Sequence, residues 1–308
     1  MKILITGGLG FVGSHLANYL IKKNHQVVIF TKSFKKYKNI KSIENSIKIE
    51  KVDISNFDKV EKLVKKHNPS TIVHLAGETS HSKSFEKSFE NIDSNIKSTL
   101  CLLEVIRRNK LKCQLVLGST FVVVGKPLTL PVDENSPCNP TTLYGVNRLT
   151  SEYYCKIYHE VYGIKTKIFR ITNSYGPNEQ IIPNKNAINF LIHQGFEGKL
   201  ITLYNEGKFF RDLIYISDVI EGIYKILTKG NFGEVYWISS NKKTWFYQLG
   251  NILENHSSGK IKYVKSPKYT KKVDVGNFIV KNSKLKKLGW KQKISLEEGI
   301  KLTLNSFK

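Results

Sequence analysis

Short apolar segments alternate with segments of helical periodicity through the first half of the chain. Strand-like apolar runs cover Lys2–Thr6, Val27–Phe30, Ile47–Val52, Thr71–Leu75, Gln114–Leu117 and Lys165–Phe169. Between these runs, apolar residues recur every three or four positions over Phe11–Ile21, Phe57–His67, Phe89–Asn109 and Leu143–Tyr162. Strands that alternate with helices form parallel crossovers, so the pattern predicts an α/β fold with a doubly wound parallel sheet.

The regular alternation weakens beyond Asn173. Helices are expected at Asn186–Gln194, Ser217–Thr228, Trp245–Glu254 and Ser295–Ser306, with short strands at Leu200–Leu203 and Val235–Ile238. We therefore predict a first domain over residues 1–172 and a smaller α+β lobe over residues 173–308. Segments near residues 212–238 are expected to return to the first domain. The lobe is expected to cover the carboxyl edge of the sheet, where open α/β sheets bind ligands.

The composition is that of a globular protein without a transmembrane segment. No run approaches the roughly 20 apolar residues that a membrane-spanning helix needs. Met1 is followed directly by the first predicted strand, which leaves no room for a signal peptide. Four cysteines have no C-x-x-C spacing, and His74 and His81 are too loosely spaced for a metal site. A cytoplasmic protein without a metal is therefore predicted.

The formal net charge of +24 raises the question of nucleic-acid binding, because clustered positive charge binds phosphate chains. Only five of the 49 basic residues are arginine, the side chain on which base-edge contacts depend most. The lysines are spread along the whole chain. The charge therefore favours a solvated surface that attracts an anionic small molecule, and nucleic acid is not the expected partner.

The first predicted strand ends in a glycine turn, Gly7-Gly8-Leu9-Gly10-Phe11-Val12-Gly13, that leads into the first helix. Glycines at this spacing permit a tight turn, close approach of the backbone to a pyrophosphate, and close packing of the helix. The helix N-terminus adds amide donors and a positive dipole. The segment predicts a dinucleotide site of the Rossmann type, with Gly7, Gly10, Phe11, Val12 and Gly13 against the cofactor.

The residues after the second strand bear on the choice between NAD and NADP. Sites for NAD usually carry Asp or Glu there to hold the ribose hydroxyls, whereas this chain has Thr31-Lys32-Ser33. Because no carboxylate repels a 2′-phosphate, NADP is slightly favoured over NAD. Asp53 and Ile54, after the third strand, are expected beside the adenine.

Two later segments contain candidate catalytic residues. Gly118-Ser119-Thr120 follows the fifth strand, and Tyr144 and Arg148 share one helix face because they are four residues apart. With these segments the chain resembles the extended short-chain dehydrogenase/reductase family, in particular its nucleotide-sugar epimerases, dehydratases and reductases. The resemblance is also carried by Thr6–Gly13, His74–Gly77, Asn95, Ser119–Gly125, Arg170–Pro177, Arg211–Asp218 and Leu288–Trp290.

The resemblance implies a catalytic role for Tyr144, as the general acid/base for a sugar hydroxyl or carbonyl. Thr120 would share its hydrogen bond, while hydride moves between a sugar carbon and the nicotinamide. The phenol needs a pKa lowered from about 10 toward neutrality. The family supplies a lysine cation four residues after the tyrosine, and here that position is Arg148. Arg148 can stabilise a tyrosinate and anchor the ribose, but it cannot release a proton.

The resemblance also implies which residues surround the two ligands. Leu75, Ala76, Gly77 and Asn95 would complete the cofactor site. Asn173 and Arg211 match positions that hold the diphosphate of a nucleotide sugar, and a guanidinium suits bidentate phosphate contact. Glu78 and Ser84 are expected to line the sugar pocket, with loop capping as the alternative role.

The reaction is narrowed by the two residues after Thr120. Dehydratases of the family carry an Asp-Glu pair there, whereas this chain has Phe121 and Val122, which disfavours dehydration. We expect a nucleotide-sugar epimerase acting at C4. The alternatives are an NADPH-dependent reductase of a 4-keto-deoxysugar nucleotide and a non-catalytic or RNA-binding protein of this fold. Many homologues dimerise through two helices, here Phe89–Asn109 and Leu143–Tyr162, so a homodimer is expected.

Overall fold

The computed structural model describes residues 1–182, 186–266 and 273–308. Strands cover β1 Lys2–Thr6, β2 Gln26–Thr31, β3 Ile47–Lys51, β4 Thr71–His74, β5 Gln114–Thr120, β6 Thr166–Ile171, β7 Asn173–Tyr175, β8 Leu200–Tyr204, β9 Phe210–Arg211, β10 Leu213–Tyr215, β11 Val235–Ile238, β12 Thr244–Trp245 and β13 Lys260–Val264. Helices cover α1 Phe11–Lys22, α2 Phe57–His67, α3 His81–Glu86, α4 Ser88–Ile92, α5 Ser98–Arg108, α6 Leu143–Tyr162, α7 Ala187–Phe196, α8 Ile216–Lys229, α9 Phe246–His256, α10 Ser283–Lys287 and α11 Leu296–Asn305.

The main sheet is parallel throughout and has seven strands within the described residues, in the order β11-β6-β5-β4-β1-β2-β3. Strand order reverses beside β1, from which the chain proceeds first to β2 and β3 and then across to β4. The predicted α/β class with a doubly wound parallel sheet is therefore confirmed. Ligands in such sheets bind at the carboxyl ends of the strands where the order reverses.

Apolar side chains cover both faces of this sheet. On one face Ile3, Ile5 and Val27 pack with helices α1 and α8. On the other face Leu4, Leu115 and residues of α2 and α5 form a second buried cluster. A sheet buried on both sides needs nearly continuous apolar strands, which is why the strands were recognisable in the sequence as short apolar runs.

The predicted helix Phe89–Asn109 is present as one continuous helical segment that contains a bulge. A wide π-helical turn over Asp93–Lys97 separates α4 from α5. At its centre the buried Asn95 amide donates to the carbonyl oxygens of Asn91 (3.0 Å) and Glu78 (3.2 Å). A π-turn adds one residue to a helical turn while the backbone on either side stays α-helical. Periodicity therefore predicted the helix but not the bulge within it.

The second half of the chain contributes to the main sheet and also forms small sheets of its own. Strand β11 pairs in parallel with β6, and Val235 lies opposite Ile168. The two-stranded pairs β7–β10, β9–β12 and β8–β13 lie outside the main sheet. The division of the chain at residue 172 stays a prediction. Within the described residues no helix is both long and apolar enough to cross a bilayer.

Lys167 on β6 is a buried amine with a consequence for stability. Its Nζ donates to the carbonyl oxygens of Ile226 (3.1 Å) and Leu227 (2.9 Å) near the end of α8. Burial lowers the pKa of Lys167 to about 8 from 10.5. Between these values the unfolded chain binds the proton more tightly, so the contribution of Lys167 to stability rises as the pH increases from about 8 to 10.5.

Lys167→Met is expected to remove this pH dependence, which corresponds to about 3 kcal/mol across the interval. Urea unfolding of both proteins between pH 7 and 10.5 measures the difference in their free energies of unfolding. Lys165→Met is the matched control, because Lys165 is exposed and also lies over the Phe232 ring. A constant difference between wild type and Lys167→Met at all pH values would contradict the prediction.

Candidate active site

The glycine turn joins β1 to α1 at the carboxyl edge of the sheet. Gly7 has φ +69°, and a Cβ there would lie 2.9 Å from the backbone nitrogen of Ala76. A Cβ on Gly13 would collide with the carbonyl oxygen of Gly7, so helix and turn pack backbone to backbone. Gly10 precedes the first helical residue, and its lack of a side chain leaves the helix N-terminus without a side-chain cap. Phe11 and Val12 occupy the first turn, where uncapped amides suit an anion.

The second and third strands end beside each other. Thr31 is buried and its hydroxyl donates to the carbonyl oxygen of Ser33 (2.8 Å), which shapes the turn. Lys32 pairs with Asp53 at 2.8 Å. Burial opposes ionisation of Asp53, but hydrogen bonds from Lys32 and Ser55 lower the pKa of Asp53 to about 2. Lys32 and Asp53, which were each predicted to contact the cofactor, therefore form an ion pair with each other.

The end of β4 is held against β1 by a buried polar network. The Thr6 hydroxyl accepts the backbone N–H groups of Leu75 (3.2 Å) and Ala76 (3.1 Å) and bonds to Nδ1 of His74 at 2.7 Å. The other ring nitrogen of His74 bonds to Ser98 at 3.2 Å. Burial, with Arg148 nearby, lowers the pKa of His74 to about 3, so this ring is neutral at physiological pH.

The structure brings Tyr144, Thr120 and Arg148 together; the spacing predicted the pairing of Tyr144 with Arg148, and the family resemblance implied the contact with Thr120. Tyr144 and Arg148 lie in the first two turns of α6. Thr142 caps the N-terminus of this helix, and its hydroxyl accepts the N–H of Gly145 at 3.1 Å. Thr120 at the end of β5 is hydrogen-bonded to the buried Tyr144 phenol. The site therefore places a phenol, a hydroxyl and a guanidinium at the carboxyl edge of the sheet.

Arg148 is buried with part of its hydrogen-bonding capacity unused. Its Nη1 donates to Oδ1 of Asn95 at 3.4 Å, close to the space where a Cβ on Gly77 would stand. Its Nε is buried and has no hydrogen-bond partner among the described residues. A buried unsatisfied donor of this kind is rare and costly. Arg148 is thus poised to donate to a ligand at this edge.

The expected lowering of the Tyr144 pKa is not present in the protein alone. Burial raises the pKa of Tyr144, and this effect outweighs the opposing influence of Arg148 and Thr120, with Glu78 adding to the rise. One guanidinium does not compensate for the loss of water around a fully enclosed phenol. The position of Arg148 could be predicted from the sequence, whereas the depth at which the Tyr144 phenol is buried could not.

Glu152 is a component of the site that the sequence analysis missed. Its carboxylate accepts a hydrogen bond from Ser119 at 2.5 Å and two-point contacts from Arg170, the closest at 2.7 Å. All three side chains are buried, and the Arg170 guanidinium lies 5.4 Å from the centre of the Trp237 ring. This ion pair fixes the end of β5 one residue before Thr120. Glu152 is two helical turns beyond Tyr144, a spacing that signals a shared face.

The residues predicted to hold a diphosphate lie on β7 and β9, which belong to two different two-stranded sheets. The Oδ1 atom of Asn173 is buried and has no hydrogen-bond partner within the described residues. Arg211 is buried and pairs with Asp274 at 2.5 Å, and Asp274 is half exposed. Burial lowers the pKa of Arg211, against the opposing influence of Asp274. The predicted phosphate ligand is therefore already engaged with a carboxylate that the sequence analysis did not identify.

Glu78 and Ser84 lie in and after the loop that follows β4. The Glu78 carboxylate accepts the backbone N–H of Ser80 at 3.0 Å, which is the loop-capping role considered as its alternative. Ser84 is fully buried in α3. Ile54 is also buried, in the cluster behind β3. A sugar-contacting role for Glu78 and Ser84 stays a prediction.

Three features of the residues in this site fit a bound dinucleotide. The glycine turn leaves a cradle that a Cβ would fill, the N-terminus of α1 has no side-chain cap, and Arg148 retains a buried free donor. The first two would hold a pyrophosphate, and Arg148 would hold the nicotinamide ribose.

Known proteins of similar sequence and fold span nearly the whole chain. Residues 4–303 match the family model described as GDP-mannose 4,6 dehydratase. A putative UDP-glucose 4-epimerase of Methanocaldococcus jannaschii is 30% identical over 99% of this chain and 98% of its own length. A dTDP-glucose 4,6-dehydratase of Haemophilus influenzae is 29% identical over 99% of this chain and 97% of its own.

Among solved structures, a UDP-glucuronic acid 4-epimerase from Bacillus cereus is similar in both sequence and fold. It is in complex with UDP-glucuronic acid and NAD, has a TM-score of 0.87 and 29% identity, and is matched over 99% of this chain and 98% of its own. The similar proteins thus include both epimerases and dehydratases.

Proposed function

Because the chain belongs to the GDP-mannose 4,6-dehydratase family, among the extended short-chain dehydrogenases/reductases, we propose that this enzyme is an NAD(P)-dependent nucleotide-sugar 4-epimerase. The family resemblance drawn from the motifs is confirmed. The observation that carries the proposal is the buried Tyr144 phenol hydrogen-bonded to Thr120, with Arg148 on the same helix. Epimerases among the relatives support the choice of reaction.

In the proposed reaction Tyr144 acts in its ionised form, which the protein alone disfavours. The tyrosinate takes the proton of the C4 hydroxyl as the sugar is oxidised and returns it after the keto-sugar has turned over. Thr120 holds the phenol and orients the same hydroxyl. Arg148 stabilises the tyrosinate by its positive charge and anchors the cofactor ribose. A bound nicotinamide would accept hydride from C4 and give it back to the opposite face.

Dehydration is disfavoured by the residues that follow Thr120. Phe121 and Val122 belong to an apolar cluster that also contains Tyr144. Neither side chain can take or give a proton, whereas elimination of water needs an acid and a base beside the sugar. Dehydration, the reaction for which the family is named, is therefore not the reaction that we propose for this enzyme.

The function is tested by incubating the protein with a panel of UDP-, dTDP-, GDP- and CDP-sugars and either NAD or NADP. Products are followed by mass and NMR. Interconversion of 4-epimers with no net change in the cofactor supports the proposal. RNA binding that survives moderate salt, without turnover of any nucleotide sugar, would contradict it.

A second candidate is an NADPH-dependent reductase of a 4-keto-deoxysugar nucleotide. It is favoured by the absence of a carboxylate among Thr31–Ser33 at the end of β2. The same catalytic residues would serve, with Tyr144 giving its proton to the reduced carbonyl. The two candidates separate on one measurement, because a reductase consumes NADPH in equal amount to product and an epimerase does not.

For the cofactor we propose NADP in preference to NAD. Lys32 has a mostly exposed side chain at the end of β2, where a 2′-phosphate could replace part of its contact with Asp53. Lys32→Ala is expected to lower the ratio of kcat/KM for NADP to that for NAD by about tenfold, since a charged hydrogen bond contributes about 1.5–3 kcal/mol. Lys22→Ala, which changes an exposed lysine at the opposite end of α1, is the control. An unchanged ratio in Lys32→Ala would contradict this assignment.

We also propose a homodimer formed by α4 and α6. Exposed apolar residues follow one face of α6 at helical spacing, namely Val146, Tyr153, Ile157 and Val161, and Phe89 on α4 is 84% exposed. Light scattering is expected to give twice the chain mass, and Ile157→Glu to give a monomer. Phe232→Ser, which changes an exposed aromatic on another surface, should remain dimeric. A monomeric wild type would overturn the assignment.

A further inference from the structure

A ring of buried side chains connects the cation of the site to a neighbouring helix. On α6, the Nδ2 atom of Asn147 donates to Oδ1 of Asn91 on α4 at 2.8 Å. The same oxygen accepts Nδ2 of Asn95 at 3.1 Å, and Oδ1 of Asn95 accepts Nη1 of Arg148 at 3.4 Å. All of these residues are at most 7% exposed. The ring is closed because Asn147 and Arg148 are consecutive residues of α6.

The hydrogen bonds of this ring determine which way each amide faces. Oδ1 of Asn91 accepts two donors, whereas its Nδ2 is buried and has no hydrogen-bond partner among the described residues. Turning this amide over would set its nitrogen against the donors of Asn95 and Asn147, so the orientation is kept. The Nδ2 atom of Asn95 also donates to the carbonyl oxygens of Asn91 and Glu78. Oδ1 of Asn95 is therefore the atom that faces the guanidinium.

Arg148 depends on this acceptor more than the family's lysine would. The contact with Asn95 is its one hydrogen bond within the part of the chain that the structure describes. A guanidinium is planar and donates in fixed directions, whereas the three donors of an ammonium rotate on a flexible stem. The position of Arg148 relative to Tyr144 therefore depends on an acceptor held in a set orientation.

We infer that Asn91 and Asn147 are positioning residues, which act on the reaction by holding the Arg148 guanidinium in place. They do so through the Asn95 amide. The inference rests on the proposed function, in which Arg148 stabilises the tyrosinate and anchors the cofactor ribose. Loss of either asparagine breaks the link between α6 and α4, but the two carbonyl oxygens that accept from Asn95 remain. The expected effect is therefore partial.

The first test measures the Kd for NAD and for NADP by calorimetry. Asn147→Leu, which replaces the amide by an apolar group of similar size, is expected to raise the Kd by about three- to tenfold, as for residues coupled in one hydrogen-bond network. Asn91→Leu breaks the same link from α4, so it should have the same effect, and the double variant should be no weaker than either. Asn109→Leu, at the end of α5, loses hydrogen bonds to Glu61 and Val105 and is the control.

A protein without the guanidinium shows whether the asparagines act through it. In Arg148→Met, the further change Asn147→Leu should raise the Kd by less than about twofold, because no guanidinium remains to be positioned. An equal rise in both backgrounds would overturn the inference. The measurement needs no turnover, so it decides the inference even if no nucleotide sugar is converted, a result that would overturn the proposed function alone.

The pH dependence of kcat is a readout that a purely structural role would not change. Burial raises the pKa of Tyr144 and the charge of Arg148 opposes this rise, so a displaced guanidinium leaves less tyrosinate at a given pH. Asn147→Leu should move the acid limb of the kcat profile to higher pH by about 0.5–1 unit and leave the plateau within about twofold of wild type. Other titratable groups around this pair, which the substitution leaves unchanged, are Glu78 after β4, His74 on β4, Cys138, and Cys155 on α6.

A loss of kcat that is the same at every pH value would assign Asn147 a structural role and overturn the inference. Unfolding curves establish that each variant is folded. If Asn147→Leu does not fold, Asn91→Leu carries the same comparisons from the other side of the ring.

Discussion

Tyr144→Phe is expected to lower kcat by about 10²- to 10⁴-fold, the range for loss of a positioned acid/base. The substitution removes only the phenolic oxygen, so the packing of the ring in its apolar cluster is retained. Steady-state rates on the converted nucleotide sugar give the loss in kcat, and equilibrium titration gives the Kd for the dinucleotide. The Kd should change little.

Two control variants distinguish proton transfer from positioning. Thr120→Val removes the hydroxyl that bonds to Tyr144 and should cause a smaller loss of kcat, because the phenol remains. Arg148→Lys restores the family's cation and should preserve or raise activity if Arg148 serves as the cation. Turnover by Tyr144→Phe at the wild-type rate would overturn the catalytic assignment.

Glu152→Ala is expected to lower the free energy of unfolding by about 3–5 kcal/mol, because it leaves the buried Arg170 guanidinium without its counterion. Glu152 and Arg170 are both almost completely buried, and the carboxylate also accepts the Ser119 hydroxyl. Urea unfolding followed by fluorescence of the buried tryptophans measures the change.

The matched control is a carboxylate on another helix whose partner is exposed. Glu90 on α4 pairs with Lys87, and both side chains are mostly solvated, so Glu90→Gln should leave stability nearly unchanged. The double variant Glu152→Leu, Arg170→Met removes both charges and should recover much of the loss. If Glu152→Ala is as stable as Glu90→Gln, the ion pair does not have the structural role described above.

The main features of the fold could be predicted because the sheet is buried on both faces. Strands β1, β2 and β4 are short apolar runs bounded by turns, and their parallel order follows from the helices between them. The bulge at Asp93–Lys97 could not be predicted, since it depends on Asn95 bonding to Glu78 in another element. The extension of β5 to Thr120 was missed because polar residues at a strand end resemble a loop.

Within the site, contacts between residues close together in the sequence were easier to predict than contacts between residues far apart. Tyr144 and Arg148 share a helix face, so their proximity follows from helical geometry. Asp274 lies 63 residues after Arg211, and nothing in the local pattern joins them. The direction of the Tyr144 pKa was also unpredictable, because it depends on enclosure by Val122, Trp237 and Phe278 from three different segments.

The return of β11 to the sheet has a consequence for the order in which the protein can fold. Until Val235–Ile238 is in place, β6 presents an open edge of backbone donors and acceptors beside the buried Arg170. A nascent chain that has reached only residue 234 also lacks Trp237, on which the Arg170 guanidinium stacks. The cofactor-binding half is synthesised first but is completed late, and during that interval its exposed edge strand is open to pairing with another chain.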